Sequence, residues 1–167
     1  MLDRFMPQDA EAVFAMCQDP EIQRYTSVPV PYGLEDARGY IAEHTTDADI
    51  DLWAIRREGV LVGSIELRGV QPGITDLGYL LHSDHRGRGL MTEAVRTVVE
   101  HGLSSGALDV IRWRAIVGNT ASAVVARRAG FAFLGVVTDG LEIRGVRHDV
   151  WTAEFRGTPK ENTPWPI

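Results

Sequence analysis

The sequence predicts an α/β fold in one domain, with helices flanking a mixed central sheet, and three observations favour this class. The 167 residues suffice for a single domain with a full core. The predicted elements run in the order two helices, three strands, helix, strand, helix and two strands. A glycine-rich turn lies between a strand and a helix. We assign the domain to residues 1–156 and expect residues 157–167 to form an irregular tail.

The first fifty residues are predicted to be mostly helical. Residues 2–5 allow only a short strand. Residues 7–17 and 34–44 should form helices, because their apolar side chains recur at three- and four-residue intervals. Residues 19–33 between them should form a loop, because three prolines and a glycine interrupt the segment.

Extended segments follow in the middle of the chain. Residues 51–56 and 60–67 are predicted to form a β-hairpin that turns at Glu58-Gly59. Residues 74–81 form the next predicted strand, after a Gln-Pro-Gly turn signal. Residues 90–103 should form a helix, because apolar and small residues fall on one side at helical spacing: Met91, Ala94, Val95, Val98, Val99 and Gly102.

The last third of the chain predicts one more strand, a short helix and a closing pair of strands. Residues 110–117 alternate apolar and polar side chains, which is typical of a strand with one wetter face. Residues 119–130 open with Asn-Thr-Ala-Ser and end at a glycine, as short helices do. Residues 131–138 and 144–155 should be the final strands, joined by a turn at Asp139-Gly140.

The glycine-rich turn, Arg86-Gly87-Arg88-Gly89, is the most informative stretch. Glycines let the backbone approach a ligand without an intervening Cβ atom. The first amides of the following helix lack intrahelical acceptors, and the helix dipole there favours an anion. The stretch therefore indicates a phosphate cradle. An ordinary tight connection with two solvated arginines explains the same residues.

Composition excludes several classes of protein. Cys17 is the single cysteine, so an internal disulfide and a cysteine metal cluster are excluded, and its position on a helix face predicts a core residue. No apolar run is long enough to span a membrane, and the first residues do not resemble a signal peptide. The net charge of −6 disfavours nucleic-acid binding. We expect a cytoplasmic protein without membrane, nucleic-acid or metal partners.

Several motifs, in order, resemble the GNAT N-acetyltransferase superfamily, and in particular its RimJ/RimL-like branch of ribosomal-protein N-terminal acetyltransferases. The resemblance covers the chain from about Pro7 to Phe155. The matching segments are Leu77-Gly78-Tyr79, Arg86-Gly87-Arg88-Gly89 with Thr92-Glu93-Ala94, Asn119-Thr120-Ala121-Ser122 with Ala129-Gly130-Phe131, and His148-Asp149-Val150-Trp151. The resemblance implies a GNAT fold in which a splayed strand pair holds the coenzyme.

The resemblance also implies acetyl-coenzyme A as the co-substrate. The glycine loop matches the segment whose amides hold the pyrophosphate, and residues 78–80 match the strand that receives the acetyl thioester. Asn119 matches the asparagine that faces the pantetheine arm, although its residue type also suits a plain helix N-cap. The residues so assigned are Gly78, Tyr79, Leu80, Arg86, Gly87, Arg88, Gly89, Leu90, Met91, Asn119 and Ser122.

Amine acylation requires a group that accepts the proton of the acceptor amine. Asp76 ranks first, because it stands two residues before Gly78, where the branch often places a glutamate; it also suits a turn after the preceding proline and glycine. Glu66 is the second candidate, although alternation along its strand also allows it to point to water. Glu142 near the last turn is the third, with a solvated carboxylate as the alternative. Histidines with a suitable titration range are His82, His85 and His148.

A proton donor would assist departure of the thiolate. Many GNAT enzymes carry a tyrosine seven residues after the motif asparagine, where this chain has Ala126. Ser122 matches a serine of the RimJ/RimL-like branch and is the candidate donor, although it also suits the first turn of a helix. Asp84 is a second departure, since the superfamily prefers Gln or Arg there.

The acceptor side of the predicted site is acidic. Residues 1–50 contain ten acidic residues and three arginines, a net charge of −7, and the resemblance places them around the acceptor groove together with Tyr25 and Tyr32. This charge favours a cationic amine, such as a peptide N-terminus, a polyamine or an aminoglycoside; a solvated surface that aids solubility explains it equally.

Three functions remain open from the sequence. They are a protein N-terminal acetyltransferase, a small-molecule amine acetyltransferase, and a non-catalytic coenzyme A-binding module. Trp151 and Trp165 near the carboxyl end permit a homodimer, but buried tryptophans would give the same pattern.

Overall fold

Seven strands form one mixed sheet in the computed structural model, which describes residues 1–104, 106, 108–156 and 163–167. The order across the sheet is β1-β2-β3-β4-β5-β7-β6. The strands are β1 (Leu2–Asp3), β2 (Ile50–Arg57), β3 (Val60–Gln71), β4 (Gly73–Leu81), β5 (Leu108–Ile116), β6 (Ala132–Ile143) and β7 (Val146–Arg156).

In the part of the chain that the structure describes, five α-helices and two single 3₁₀ turns accompany the sheet. The helices are α1 (Ala10–Met16), α2 (Pro20–Tyr25), α3 (Leu34–Thr46), α4 (Leu90–Ser104) and α5 (Thr120–Ala129), and the 3₁₀ turns are Pro7–Asp9 and Ser83–His85. None of the helices in the described residues is long and apolar enough to cross a membrane.

Helices cover both faces of the sheet. Successive residues of a strand face opposite sides, so Ala54 packs with α1 and α3 while Ile55 packs with α4 and α5. The predicted inner face of α4 is confirmed, because all six of its predicted residues are buried. Trp113 of β5, 1% exposed, lies in the core on the α4–α5 side. Cys17 is also confirmed as a core residue.

One neighbouring strand pair of the sheet is parallel, and it separates part way along. β4 and β5 pair from Gly73 opposite Leu108 to Leu77 opposite Trp113. Both strands continue beyond that point, but β4 then pairs only with β3 and β5 only with β7. The predicted splayed strand pair is therefore present, and α4 makes the crossover that parallel strands require.

The predicted loop over residues 19–33 is partly wrong, because α2 occupies its first third. Pro20 is the first residue of α2, where its missing N–H costs no intrahelical hydrogen bond. Asp19 caps the helix by accepting a hydrogen bond from the Glu21 N–H at 2.8 Å. Proline thus starts a helix here instead of preventing one. The predicted helix over 7–17 is likewise adjusted, since it opens with a 3₁₀ turn and α1 ends at Met16.

The predicted turn at Asp139-Gly140 is also wrong. β6 runs through these residues with an irregular register, and the hairpin turns at Arg144-Gly145. Both turn residues have positive φ, 49° and 77°, which suits a two-residue hairpin loop. Gly140 instead permits close approach within the hairpin, because a Cβ atom there would lie 2.5 Å from Val150.

The carboxyl-terminal tail is described only from residue 163 onward, so residues 157–162 of the predicted irregular tail lie outside the described residues. Residues 163–167 form no helix or strand. Trp165 nevertheless packs against the rings of Phe133 and Trp113, at centroid distances of 5.1 and 5.7 Å. The division into residues 1–156 and a tail stays a prediction.

A buried ion pair fixes the amino-terminal segment to the sheet. Arg56 of β2 donates two hydrogen bonds to the Asp9 carboxylate, at 2.9 and 2.7 Å, and both side chains are nearly inaccessible to solvent. Burial opposes ionisation of Asp9, but hydrogen bonds from Arg56 and from the Met6 N–H hold its pKa below the ordinary carboxyl value. Asp3 adds a more exposed bond to the same arginine, at 3.1 Å.

We expect Asp9→Asn to lower the free energy of unfolding by about 3–5 kcal/mol, because it leaves the buried Arg56 charge with only the half-exposed Asp3 as a partner. Since the folded-state pKa of Asp9 is depressed, its contribution is complete above about pH 4 and is lost as the pH falls below that value. Urea unfolding at neutral and acidic pH measures both effects. Asp3→Asn, at a half-exposed position, is the matched control and should cost less than about 1 kcal/mol. Equal decreases in the free energy of unfolding for Asp9→Asn and Asp3→Asn would contradict this account.

Candidate functional site

Two cavities meet where β4 and β5 separate. The loop cavity, of about 350 Å³, lies against the glycine turn, α5 and α2. The acidic cavity, of about 710 Å³, lies between α3, the segment after α2, and strands β3 to β5. Six residues line both, and they form what we call the junction: Tyr25, Thr26, Tyr79, Leu80, Asn119 and Ser122.

The glycine turn forms one wall of the loop cavity. Gly87 and Gly89 have φ values of 75° and 80°, and a Cβ atom built on either residue would meet nothing within 4 Å. The main chain is therefore open to a ligand beside the first turn of α4, where N–H groups have no intrahelical acceptor. Leu90 and Met91 also line this cavity. The arrangement suits the diphosphate predicted from the sequence.

The two arginines of the turn differ in their surroundings. The Arg86 guanidinium lines the loop cavity, donates to the Leu81 carbonyl at 3.1 Å and pairs with Asp19 at 2.7 Å. Arg86 thus ties the glycine turn to the start of α2. Arg88, which was assigned to the coenzyme with it, is exposed and does not line the loop cavity.

Asn119 serves as the N-cap of α5 and also lines the junction. Its side-chain oxygen accepts a hydrogen bond from the Ser122 N–H at 3.2 Å. The predicted cap is therefore confirmed, and the residue still borders both cavities. Asn119 therefore fixes the first turn of α5 beside the two cavities.

A polar cluster of three side chains lies at the junction. The Ser122 hydroxyl donates to the Tyr79 hydroxyl at 2.9 Å, and the Trp113 Nε1–H lies 3.1 Å from both oxygens. The Tyr79 hydroxyl donates in turn to the Ser122 carbonyl at 3.0 Å. Burial raises the pKa of Tyr79 far above its ordinary value, although the bonds from Ser122 and Trp113 oppose the shift. The phenol therefore stays protonated at neutral pH.

Glu66 of β3 points into the acidic cavity beside the junction. It lies opposite Gly78 of β4, and its Oε1 atom is 3.1 Å from the position that a Cβ atom of Gly78 would take. Its Oε2 atom is buried and has no hydrogen-bond partner among the described residues. Arg68 approaches Oε1 only to 3.6 Å. An unpaired carboxylate oxygen in a cavity is free to accept a proton.

Asp76, the first-ranked base candidate, has a different environment. It lies within β4 and not in a turn, so the alternative turn assignment is wrong. Its two oxygens accept hydrogen bonds from Arg112 at 2.6 Å and Arg114 at 2.7 Å. Both oxygens are therefore occupied by cations. The contacts favour Glu66 over Asp76, although both residues line the acidic cavity.

The remaining candidates lie away from the junction. Glu142 is 59% exposed and faces away from the acidic cavity, which its neighbours Leu141 and Ile143 line, so the solvated alternative is the better description. His82, His85 and His148 line neither cavity. Among the described residues, no group of three or more potential ligands could hold a metal ion.

The acidic cavity is rich in carboxylates. Glu35, Asp36 and Glu43 of α3 line it together with Glu66 and Asp76, against the two arginines Arg68 and Arg114. Tyr25 and Tyr32 line it as well, as predicted for the acceptor side. The charge within it favours a cationic ligand.

Sequence reasoning missed two polar residues of this cavity. His44 of α3 lies with its Nε2 atom 2.9 Å from an Arg68 nitrogen, and both line the cavity. Helical spacing hinted that His44 shares a face with Tyr40, whose ring lies 4.3 Å away. Nothing in the sequence pairs His44 with Arg68, because that contact joins a helix to a strand.

Comparison with known proteins gives consistent matches. Residues 1–132 match the family described as "Acetyltransferase (GNAT) domain". The chain is 34% identical over 92 residues to a protein named Probable N-acetyltransferase YjcK from Bacillus subtilis, which covers 53% of this chain and 51% of that protein. The chain thus spans about half the length of the first curated relatives that it matches.

Two solved structures share the fold over nearly the whole chain. One is RimL, a ribosomal L7/L12 α-N-protein acetyltransferase in complex with coenzyme A, with a TM-score of 0.83, 19% identity, and coverage of 93% of this chain and 92% of that one. The other is the microcin C7 self-immunity acetyltransferase MccE in complex with acetyl-CoA and AMP, with a TM-score of 0.84, 20% identity, and coverage of 93% and 91%. At these identities the likeness concerns the fold.

Proposed function

The chain belongs to the acetyltransferase (GNAT) domain family, and from this premise we propose that it transfers an acetyl group from acetyl-coenzyme A to a primary amine. The acceptor that we propose first is the N-terminal amine of a protein or peptide. The observation that carries the proposal is the junction, where a phosphate-type glycine turn opens on one side and an unpaired carboxylate oxygen on the other.

The loop cavity fits the coenzyme. Gly87 and Gly89 leave the main chain open to a diphosphate, and the start of α4 offers amide donors and a favourable dipole. The main-chain groups of residues 78–80 that face β5 have no strand neighbour on that side, so they are available to the polar pantetheine arm, whereas the Leu81 carbonyl accepts a hydrogen bond from Arg86. When bound there, the coenzyme supplies the acetyl thioester.

Glu66 is the general base in this proposal. Its carboxylate lines the acidic cavity beside Gly78, and with Oε2 unpaired it takes the proton that makes the amine nucleophilic. Arg68 and the tyrosine Tyr40 border it, so the carboxylate is shielded from bulk water but remains next to the cavity.

Ser122 is the proton donor on the coenzyme side. Its hydroxyl lies at the junction, where the Tyr79 hydroxyl, which keeps its own proton at neutral pH, holds it in place. Ser122 gives a proton to the departing thiolate and is reprotonated from solvent when the products leave the cavities. Ser122 thus takes the place of the tyrosine that the family pattern expects at Ala126.

Transfer is direct in this proposal, without a covalent acyl-protein intermediate. The residues lining the two cavities include no cysteine. Cys17 is buried and lines neither cavity, and burial raises the pKa of its thiol to about 11. The acceptor amine must therefore attack the thioester itself.

Small-molecule amine acetylation is the second candidate. The acidic cavity, at about 710 Å³, has the size of pockets that enclose small ligands, and its carboxylates suit a compact cation. The fold is shared by a ribosomal L7/L12 α-N-protein acetyltransferase, RimL, and by a microcin C7 self-immunity acetyltransferase, MccE, so the fold by itself does not select one acceptor. The predicted cytoplasmic location, homodimer and lack of nucleic-acid partners stay predictions.

Calorimetric titration with acetyl-coenzyme A tests the coenzyme site. We expect the wild type to bind and Gly87→Trp to lose binding by at least about 100-fold, because the side chain would project into the open cradle. Gly59→Trp is the matched control, since Gly59 also has positive φ, at 82°, and open space but lines neither cavity. Absence of wild-type binding would overturn the coenzyme assignment.

Steady-state kinetics of Glu66→Gln test the base. We expect kcat/KM to fall about 10²–10³-fold at neutral pH and to recover as the pH rises, because the acceptor amine then loses its proton without help. Asp76→Asn is the comparison, and melting temperatures of both variants control for folding. A larger loss in Asp76→Asn would transfer the assignment to Asp76.

A screen of peptides and free amines at two salt concentrations tests the acceptor. For a cationic acceptor we expect KM to rise about threefold between about 50 and 300 mM salt, because screening weakens attraction by the acidic cavity. A neutral amine of similar size should show no such rise. A KM that does not depend on salt for any cationic acceptor would contradict attraction by the acidic cavity. Turnover with free amines but not with peptides would favour small-molecule amine acetylation.

A further inference from the structure

An arginine at the tip of the β6–β7 hairpin holds the segment that follows α2. The Arg144 guanidinium donates to three main-chain carbonyls, at 2.6 Å to Gln23, 3.1 Å to Thr26 and 2.8 Å to Val28. The bonds join parts of the chain more than a hundred residues apart. We call this contact the Arg144 clamp.

The clamp satisfies groups that a short helix cannot satisfy. The last carbonyls of any α-helix lack intrahelical donors, and a cation near them also favours the helix dipole. α2 has six residues, well below the length at which a helix is stable by itself. The planar guanidinium carries five N–H donors in fixed directions, which lets one side chain reach three diverging carbonyls.

The conformation of Arg144 shows that the turn itself does not require arginine. Its φ is 49°, in the left-handed region, where Asn, Asp or Gly is adopted at lower conformational cost. An arginine at such a position is therefore explained by the contacts that its side chain makes. The three carbonyl contacts supply that explanation.

Both ends of the clamp border the acidic cavity. On one side, residues 25–29 line the cavity, and Tyr25 and Thr26 also belong to the junction. On the other side, Leu141 and Ile143 of β6 line the cavity next to Arg144. The clamp therefore fixes the distance between two walls of the same cavity.

The two ends of α2 are held from different places. At the first end, Asp19 pairs with Arg86 of the glycine turn. At the second end, the Tyr25 hydroxyl donates to the Gly118 carbonyl at 3.2 Å, and the Arg144 clamp holds the carbonyls that follow. The second end of α2, which the hairpin holds, thus leads into the wall of the acidic cavity. The first end of α2, which the glycine turn holds, lies on the side of the loop cavity.

We infer that Arg144 is a positioning residue for the acceptor: through its three carbonyl contacts it holds residues 23–28 in the conformation in which the acidic cavity binds an amine. This inference rests on the proposed function. It assigns Arg144 to acceptor binding, separately from the residues that touch the coenzyme or move protons.

The test compares Arg144→Gln, Arg144→Lys and the matched control Arg147→Gln. Arg147 lies on the same hairpin, is 66% exposed and reaches only Glu142, at 3.8 Å. We expect Arg144→Gln to raise the acceptor KM about three- to tenfold while kcat at saturation and the dissociation constant of acetyl-coenzyme A change less than about twofold. Arg144→Lys should recover part of the loss, and Arg147→Gln should match the wild type.

Hydrogen exchange gives an independent readout that does not need turnover. We expect faster exchange of the amides of residues 23–28 in Arg144→Gln, with α3 and α4 unchanged. Unchanged exchange, or an acceptor KM equal to that of Arg147→Gln, would overturn the inference. If the wild type acetylates no acceptor, the proposed function fails; faster exchange then establishes the clamp as a purely structural contact, which also overturns its assignment to the acceptor.

Discussion

The early end of the β4–β5 pairing is the constraint on which the site depends. Parallel pairing stops at Leu77 and Trp113, and each strand then keeps only its outer neighbour. The two halves of the sheet are joined by the pairing before that point, and beyond it β4 stays paired with β3 and β5 with β7. The gap in mid-sheet exposes main-chain groups that are normally paired, and it lies where the glycine turn, the start of α4 and α5 meet at one edge of the sheet. The two cavities follow from that gap.

Much of the fold was predictable because its signals are local. The one-sided apolar pattern of α4, the glycine at the end of α5 and the alternation in β5 each act over a few residues, and all are confirmed. The errors also have local causes. Proline predicts a helix break at Pro20 although it also suits the first turn of a helix, and Asp139-Gly140 has the composition of a turn although Gly140 serves close packing against β7. Composition alone does not distinguish these uses.

The loop-cavity side of the candidate site was predictable from the sequence, and the acidic-cavity side was less so. The glycine turn is contiguous in sequence, so its place between a strand and a helix beside a cavity followed from its residues. The base depends on cross-strand neighbours: Asp76 lies beside Arg112 and Arg114 of β5, whereas Glu66 lies over a glycine that leaves one oxygen free. The spacing of residues in the sequence does not indicate which of the two carboxylates, Asp76 or Glu66, forms ion pairs with arginines of the neighbouring strand. The acidic character of the first fifty residues did predict the charge of the acidic cavity, because the carboxylates of α3 line it.

The attachment of α2 at both ends has a consequence for redesign of the protein. Asp19 ties the helix to Arg86 in the glycine turn, so a wall of the acidic cavity and the glycine turn are connected through α2. A graft that replaces residues 19–33 with the corresponding loop of a relative would keep the glycine turn in place only if it kept an acid at position 19, and would keep the cavity wall only if its main-chain carbonyls stayed within reach of Arg144. A library that randomises this segment without these two attachments would alter the cavity wall and the glycine turn together.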